Sequence, residues 1–293
     1  MSISISSFGA LPDGRAAALF TLTNPSGAQL CLTDYGARIV AVRVPDRTGN
    51  LADVALGFDS AADYIRQDNY IGATIGRVGN RIAGSAFTLS GKDYHVDANE
   101  GPNCLHGGHN AFDRQLWHAE PHEGEAANMV TFTYTSADGE EGFPGTLRVT
   151  VSIGWSHEND LSICYSAVCD QDTLCNLTNH SYFNLAGQGN IERQILTLNA
   201  PFITETDDAL IPTGQPAYGF FRSPGHALWL PCWPGAGNPA SSRRNPPRRL
   251  PQRCAARQHA LRDADGVQLQ RKVKRIRKNR RPSQQCDGRR SVL

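Results

Sequence analysis

Five stretches of the chain alternate apolar with polar or small residues at a period of two. They are Leu19-Phe-Thr-Leu-Thr23, Ile39-Val-Ala-Val-Arg-Val44, Val130-Thr-Phe-Thr-Tyr-Thr135, Leu147-Arg-Val-Thr-Val-Ser-Ile153 and Leu161-Ser-Ile-Cys-Tyr-Ser166. Successive side chains of an extended backbone point to opposite faces, so this pattern predicts antiparallel strands with one buried face. Pro45-Asp-Arg-Thr-Gly-Asn50 and Ser136-Ala-Asp-Gly139 read as hairpin turns, because Asp, Asn and Gly accept the backbone angles of a chain reversal. Helical periodicity is scarce. Ser60-Ala-Ala-Asp-Tyr-Ile-Arg-Gln67 predicts one short helix with Ser60 as its cap. Many strands and few helices define an all-β chain, either a sandwich or a barrel.

A length of 293 residues has room for one large core or two modest ones. The net charge of +1 hides a division. Residues 1–237 hold 12 Lys and Arg against 25 Asp and Glu, residues 238–293 hold 17 against 3, and no glutamate follows Glu205. The texture changes with the charge. Pro231-Cys-Trp-Pro-Gly-Ala-Gly-Asn-Pro-Ala240 is turn-rich, and Arg, Pro, Gln and Ala dominate from Ser241 to Arg290. Such a segment buries too little apolar surface to offset its ordering entropy. The expectation is a folded body over residues 1–234 and a basic tail over 235–293 without stable structure.

Met1-Ser-Ile-Ser-Ile-Ser6 lacks the basic start and apolar run of a signal peptide, and no stretch reaches the length of a membrane span. The eight cysteines form no CxxC pair and no disulfide framework. A cytoplasmic protein with buried free thiols and no membrane partner is expected.

One segment concentrates the chemistry. Asn176-Leu-Thr-Asn-His-Ser-Tyr-Phe-Asn-Leu-Ala-Gly187 sets His180 among small polar and aromatic neighbours. Aromatic rings offer sugars a flat apolar surface, Asn, Ser and Tyr bond hydroxyls, and His moves protons near neutral pH. These residue types suit a carbohydrate site that performs acid–base chemistry. The segment resembles the histidine motif of the aldose 1-epimerases, or galactose mutarotases. Other blocks resemble the same family in the same order: Asp34-Tyr-Gly-Ala-Arg-Ile39, Ile75-Gly-Arg-Val-Gly-Asn-Arg-Ile82, Asn103-Cys-Leu-His-Gly-Gly108, Asp138-Gly-Glu-Glu-Gly-Phe-Pro-Gly145 and Leu210-Ile-Pro-Thr-Gly214. Beyond these there is a trace in Tyr218-Gly-Phe-Phe-Arg-Ser-Pro224.

The resemblance implies a large, twisted, antiparallel β-sandwich of the galactose mutarotase type, with the site in a cleft on one sheet. It implies an isomerase that interconverts the α and β anomers of a small-molecule hexose without cofactor or metal. Opening the hemiacetal requires an acid at the ring oxygen and a base at the C1 hydroxyl, with no redox step. His180 matches the family's acid; a lone histidine would otherwise be read as a hydrogen-bonded core residue. Tyr182, two residues on and so on the same face of an extended segment, matches a residue that lines the sugar site, with core packing as its alternative. His106 matches a second histidine that bonds sugar oxygens. His106-Gly-Gly-His109 as a metal pair is the weaker reading, because no further ligands are near and the glycines suggest backbone close to a ligand. Asn80 and Arg81 match a pair that contacts sugar hydroxyls. Arg77 matches the same block and is read either as a substrate contact or as a structural ion pair. Gly72, Gly76 and Gly79 lack the GxGxxG spacing of a dinucleotide loop.

The chain then departs from the family. The family's base is a glutamate near the C-terminus, followed by glutamine and an aromatic residue, and it has no counterpart after Glu205. A substrate-binding aspartate in a Pro-x-Asp-Phe pattern is replaced by Tyr218-Gly-Phe-Phe221, which has no carboxylate. Two origins suit the tail. One is a basic arm for nucleic acid or an acidic surface. The other is a shifted reading frame, since GC-rich DNA read out of frame yields Arg, Pro and Ala. The break falls where the family pattern should continue, and no aromatic residue follows Trp233 to stack on bases, so the shifted frame is the expectation and a nucleic-acid partner is not. The expected function is an aldose 1-epimerase acting on galactose, glucose or a similar hexose, impaired here by the missing base. The alternative is a non-catalytic sugar-binding homologue that keeps His106, Asn80 and Arg81 for recognition.

Overall fold

The alternating stretches become the strands of two antiparallel sheets. The structure is a computed structural model that describes residues 1–67, 69–196, 202–218 and 274–275. The first sheet runs in chain order through β1 (Ser2–Ala10), β2 (Ala16–Thr23), β3 (Gln29–Thr33), β4 (Arg38–Pro45) and β5 (Leu51–Asp53). Helix α1 (Ala61–Arg66) follows, then the short strands β6 (Thr74–Ile75) and β7 (Arg81–Ile82), the hairpin of β8 (Ala86–Leu89) with β9 (Lys92–His95), and β10 (Cys104–Leu105). The second sheet is a meander of β11 (His118–His122), β12 (Ala127–Ser136), β13 (Leu147–Ser156) and β14 (Leu161–Cys169). Beyond it lie β15 (Leu174–Cys175), β16 (Thr178–Asn179) and the hairpin of β17 (Phe202–Thr206) with β18 (Pro212–Tyr218). The tail expected over 235–293, and most of the Tyr218–Pro224 trace, lie outside the described residues; Lys274–Arg275, a strand β19 paired with β15, is the exception.

The two sheets pack face to face, which makes the fold a β-sandwich. Phe20, Leu22, Leu30, Leu32 and Ile39 of the first sheet share one buried cluster with Val130, Phe132, Val149, Val151, Ile153 and Trp155 of the second. Phe20 meets Phe132 edge to face, with ring centroids 6.1 Å apart. Full burial of each such side chain contributes about 1.5–3 kcal/mol before the entropy of ordering is counted.

The middle of the first sheet departs from the half-buried pattern. Cys31, Val40 and Ala41 are buried on its other face, in a second cluster with Phe8, Tyr35, Ala61 and Tyr64. Helix α1 supplies Ala61 and Tyr64 to that cover, and Ser60 caps it as predicted, its Oγ accepting from the Asp63 N–H at 3.2 Å. The turn between β4 and β5 also forms as predicted. Asp46 Oδ1 accepts from the N–H groups of Thr48 and Asn50 at 2.7 and 3.0 Å.

The connection between β12 and β13 is longer than the hairpin turn expected at Ser136-Ala-Asp-Gly139. It spans residues 137–146, with a 3-10 turn at Glu140–Gly142. The reason is packing at a distance. Phe143 is buried in a third cluster with Val78, Ile82, Val96 and Cys104, so the loop is folded inward. Among the described residues, no helix is long and apolar enough to cross a membrane.

Candidate active site

Short strand pairings bring the site residues together. β16 pairs with β6, Thr178 opposite Ile75 and Asn179 opposite Thr74. The ladder continues past the Asn179–Thr74 pair: the His180 N–H donates to Ala73 O at 2.9 Å and the Gly72 N–H donates to His180 O at 3.1 Å. β10 pairs with β7, which delivers His106 beside Asn80. The His106 N–H donates to Asn80 O at 3.0 Å, and the Asn80 N–H donates to His106 Nδ1 at 2.9 Å. A parallel bridge from Val78 to Asn176 joins the two ladders.

His106 and His180 therefore meet, although they are far apart in sequence. Their ring centroids are 5.0 Å apart and the rings are nearly perpendicular, at 84°. Tyr182 lies 5.2 Å from His180, as expected for its place on the same face. Tyr70 joins them, 4.8 Å from His106 and 5.9 Å from His180. Three site residues other than glycine hold left-handed backbone: Tyr70 at φ 55°, Asn80 at 69° and His106 at 57°. Such angles are costly outside glycine and cluster where surrounding packing imposes them.

The electrostatics give the two histidines different characters. Because His106 Nδ1 accepts a hydrogen bond, the proton of its neutral ring sits on Nε2. Burial, followed by the fields of His180 and Arg81, pulls its pKa down to about 3. His106 is thus a neutral donor at physiological pH. His180 is also pulled below the ordinary histidine value, chiefly by burial and further by Arg38, against an opposing hydrogen bond to its own backbone.

Arg81 presents its fork to Glu100, with Nε and Nη2 each 2.5 Å from a carboxylate oxygen, and its Nη1 donates to Asn80 Oδ1 at 3.2 Å. Asn99 clamps the loop that carries His106. Its Nδ2 donates to the carbonyls of Leu105 and Gly108 at 2.8 and 3.0 Å, and its Oδ1 accepts from the Leu105 N–H at 2.6 Å. Tyr70, Asn99 and Glu100 were not singled out from sequence. Asn99 and Glu100 lie three to four residues before the start of the Asn103–Gly108 block, and that proximity was the available signal.

Arg77 is held by loop acceptors, and none of its hydrogen-bond partners among the described residues is a carboxylate. Its buried guanidinium donates to the carbonyls of Ser136, Ala137, Pro144 and Gly145 and to the hydroxyls of Ser136 and Thr173, at 2.8–3.3 Å. It fills the inside of the 137–146 loop. The glycines after His106 closely approach protein atoms. A Cβ on Gly107 would lie 2.1 Å from the Gly76 carbonyl oxygen, and one on Gly108 would lie 2.1 Å from Glu141 Oε2. His109 is exposed and pairs with Asp97 at 2.9 Å. No group of three His, Cys, Asp or Glu among the described residues could hold a metal ion.

The β-sandwich thus carries two buried imidazoles beside an Asn–Arg pair. The family model for aldose 1-epimerases matches residues 18–226, and the chain belongs to that family. It is 42% identical over 217 residues to a galactose mutarotase of Sus scrofa, which covers 73% of this chain and 62% of that one. It is 37% identical over 202 residues to an aldose 1-epimerase of Escherichia coli, covering 69% and 58%. The crystal structure of a galactose 1-epimerase from Lactobacillus acidophilus matches with a TM-score of 0.67 at 28% identity, covering 74% of this chain and 63% of that one. The chain thus spans less than two thirds of the length of these relatives.

Proposed function

We propose that the chain binds an aldohexose such as galactose or glucose and opens its ring with His180 as the acid, the chemistry of an aldose 1-epimerase. The observation that carries the reading is the pair of buried imidazoles 5.0 Å apart. In this reading His180 gives a proton to the ring oxygen as the bond from C1 to that oxygen breaks and the C1 hydroxyl loses its proton to a base. The aldehyde rotates, and the reverse transfers close the ring on its other face. His106 donates its Nε2–H to a sugar oxygen without changing charge. Asn80, Arg81 and Tyr182 complete the recognition surface. A protonated His180 with a depressed pKa is a strong acid but a scarce one at pH 7, and a carboxylate base across the sugar would raise its population.

That carboxylate is what this chain lacks. No glutamate follows Glu205, and Glu100 is taken up by Arg81. With water as the base, a factor of about 10²–10⁴ in rate is lost. We therefore read the chain as an epimerase by descent whose sugar binding outlasts its catalysis. Burial pushes the thiols of Cys104 and Cys175 up to about 12, and such inert free cysteines suit a reducing, cytoplasmic setting.

Polarimetry of freshly dissolved α-D-galactose, run beside calorimetric titration with hexoses, tests both parts. The expected outcome is binding with a rate near that of buffer, and His180→Asn removes any excess rate. A large acceleration that survives His180→Asn would show that His180 is not the acid. Absence of binding by any hexose would sink the sugar-site reading.

A further inference from the structure

Arg38 of the Asp34–Ile39 block, whose charge acts on His180, lies behind the site. Arg38 is buried on β4. Its Nη1 donates to the Ile71 carbonyl at 2.8 Å and its Nη2 to the Asp113 carbonyl at 2.7 Å, with the Asp113 carboxylate 3.7 Å away and the Tyr64 ring 4.7 Å from its centre. Ile71 belongs to the turn of residues 70–73. That turn is closed by the Ala73 N–H donating to Tyr70 O at 3.0 Å, and its Gly72 and Ala73 form the ladder to His180. The turn therefore has Arg38 on one side and the strand of His180 on the other.

Tyr70 leads this turn, and its backbone is in the left-handed region that side chains other than glycine and asparagine avoid. Its hydroxyl accepts from Asn99 Nδ2 at 3.4 Å, the same amide that clamps the His106 loop. The centroids of Tyr70, His106 and His180 form a triangle with sides of 4.8, 5.0 and 5.9 Å. Tyr70 thus touches both histidines and the residue that holds one of them. It stands at the first position of the turn that Arg38 anchors.

We propose that Tyr70 is a positioning residue whose ring, carried on the turn anchored by Arg38, sets His106 perpendicular to His180 and so shapes the site for a hexose. The inference rests on the hexose-site reading for its consequence, though not for its geometry. The ring matters more than the hydroxyl, because an edge-to-face contact at 4.8 Å fixes one ring plane against another.

The test is proton–nitrogen NMR of the imidazoles in the whole chain, followed by titration with galactose. Tyr70→Asn removes the ring and keeps a residue that tolerates the left-handed backbone. It is expected to weaken the cross-relaxation between the rings of His106 and His180. It is also expected to reduce galactose affinity about three- to tenfold, the scale of one aromatic contact. Tyr70→Phe keeps the ring and is expected to preserve both readouts. Arg38→Lys keeps the buried charge but cannot span both carbonyls, and it is expected to move the same cross-peaks. Unchanged cross-peaks in Tyr70→Asn and Arg38→Lys would overturn the proposal, as would a Tyr70→Phe variant as impaired as Tyr70→Asn. If the unaltered chain shows no response to galactose, the hexose reading fails, while the ring-to-ring comparison still decides the part played by Tyr70.

Discussion

Arg77→Lys separates a structural role for the Ile75–Ile82 block from a substrate role. Arg77 is 2% exposed and its guanidinium donates to four carbonyls and two hydroxyls. An ammonium has three donors on one atom, so at least three of those acceptors lose their partner. A net loss of about 1–1.5 kcal/mol per buried bond gives a destabilisation of roughly 3–5 kcal/mol. That is a large fraction of the 5–15 kcal/mol (roughly) that holds a typical domain together. In urea, with a slope of about 2–3 kcal/mol per molar, the midpoint should fall by roughly 1–2 M with the slope unchanged. Hexose affinity, measured on the folded fraction, should stay at the level of the unaltered chain. A midpoint within experimental error of the parent together with weakened hexose binding would refute the reasoning and return Arg77 to the sugar.

Three further outcomes follow from the site and the tail. Folded His106 has a pKa of about 3 against 6.5 when unfolded, so the unfolded chain binds the extra proton between those values. Stability therefore rises with pH across that window and the contribution is complete above it. His106→Gln should remove up to roughly 3–5 kcal/mol of the rise, and identical urea midpoint profiles against pH for the two proteins would contradict this. Gly107→Ala puts a Cβ 2.1 Å from the Gly76 carbonyl oxygen at a φ of 103°, so the His106 loop must move. A loss of about 2–4 kcal/mol together with loss of hexose binding is expected, and an unchanged melting temperature would refute it. For the tail, sequencing the DNA around codons 215–235 should reveal a one- or two-base change whose correction restores a glutamate-bearing C-terminus. The corrected protein should gain about 10²–10⁴ in mutarotation rate by polarimetry, and an intact frame would remove the shifted-frame reading.

Much of the sandwich was legible in the sequence. Period-two alternation in Val130–Thr135 and Leu147–Ile153 located β12 and β13 because one face of each strand meets the other sheet. Ser60 and the Pro45–Asn50 turn were readable for the same kind of reason, since a cap or a turn is closed by residues two to four positions away. His180 stood out by the chemistry of its segment, whereas His106 was named by the resemblance of the Asn103–Gly108 block to the aldose 1-epimerases. Burial of β4 on both faces was not legible, because α1, which covers its outer side, is a separate element whose docking the strand's own pattern does not record.

The local sequence by itself determined which stretches extend, where the chain turns and which side chains are able to move a proton or bond a hydroxyl. Tertiary structure alone decided that His106 stands perpendicular to His180, that Tyr70 touches both, that Glu100 holds Arg81, and that the Arg77 guanidinium donates into the 137–146 loop. The division has a physical cause. Alternation and turn chemistry report forces between near neighbours in the chain. The partners of a buried donor, and the left-handed angles at Tyr70, Asn80 and His106, are imposed by atoms that packing brings in from distant strands.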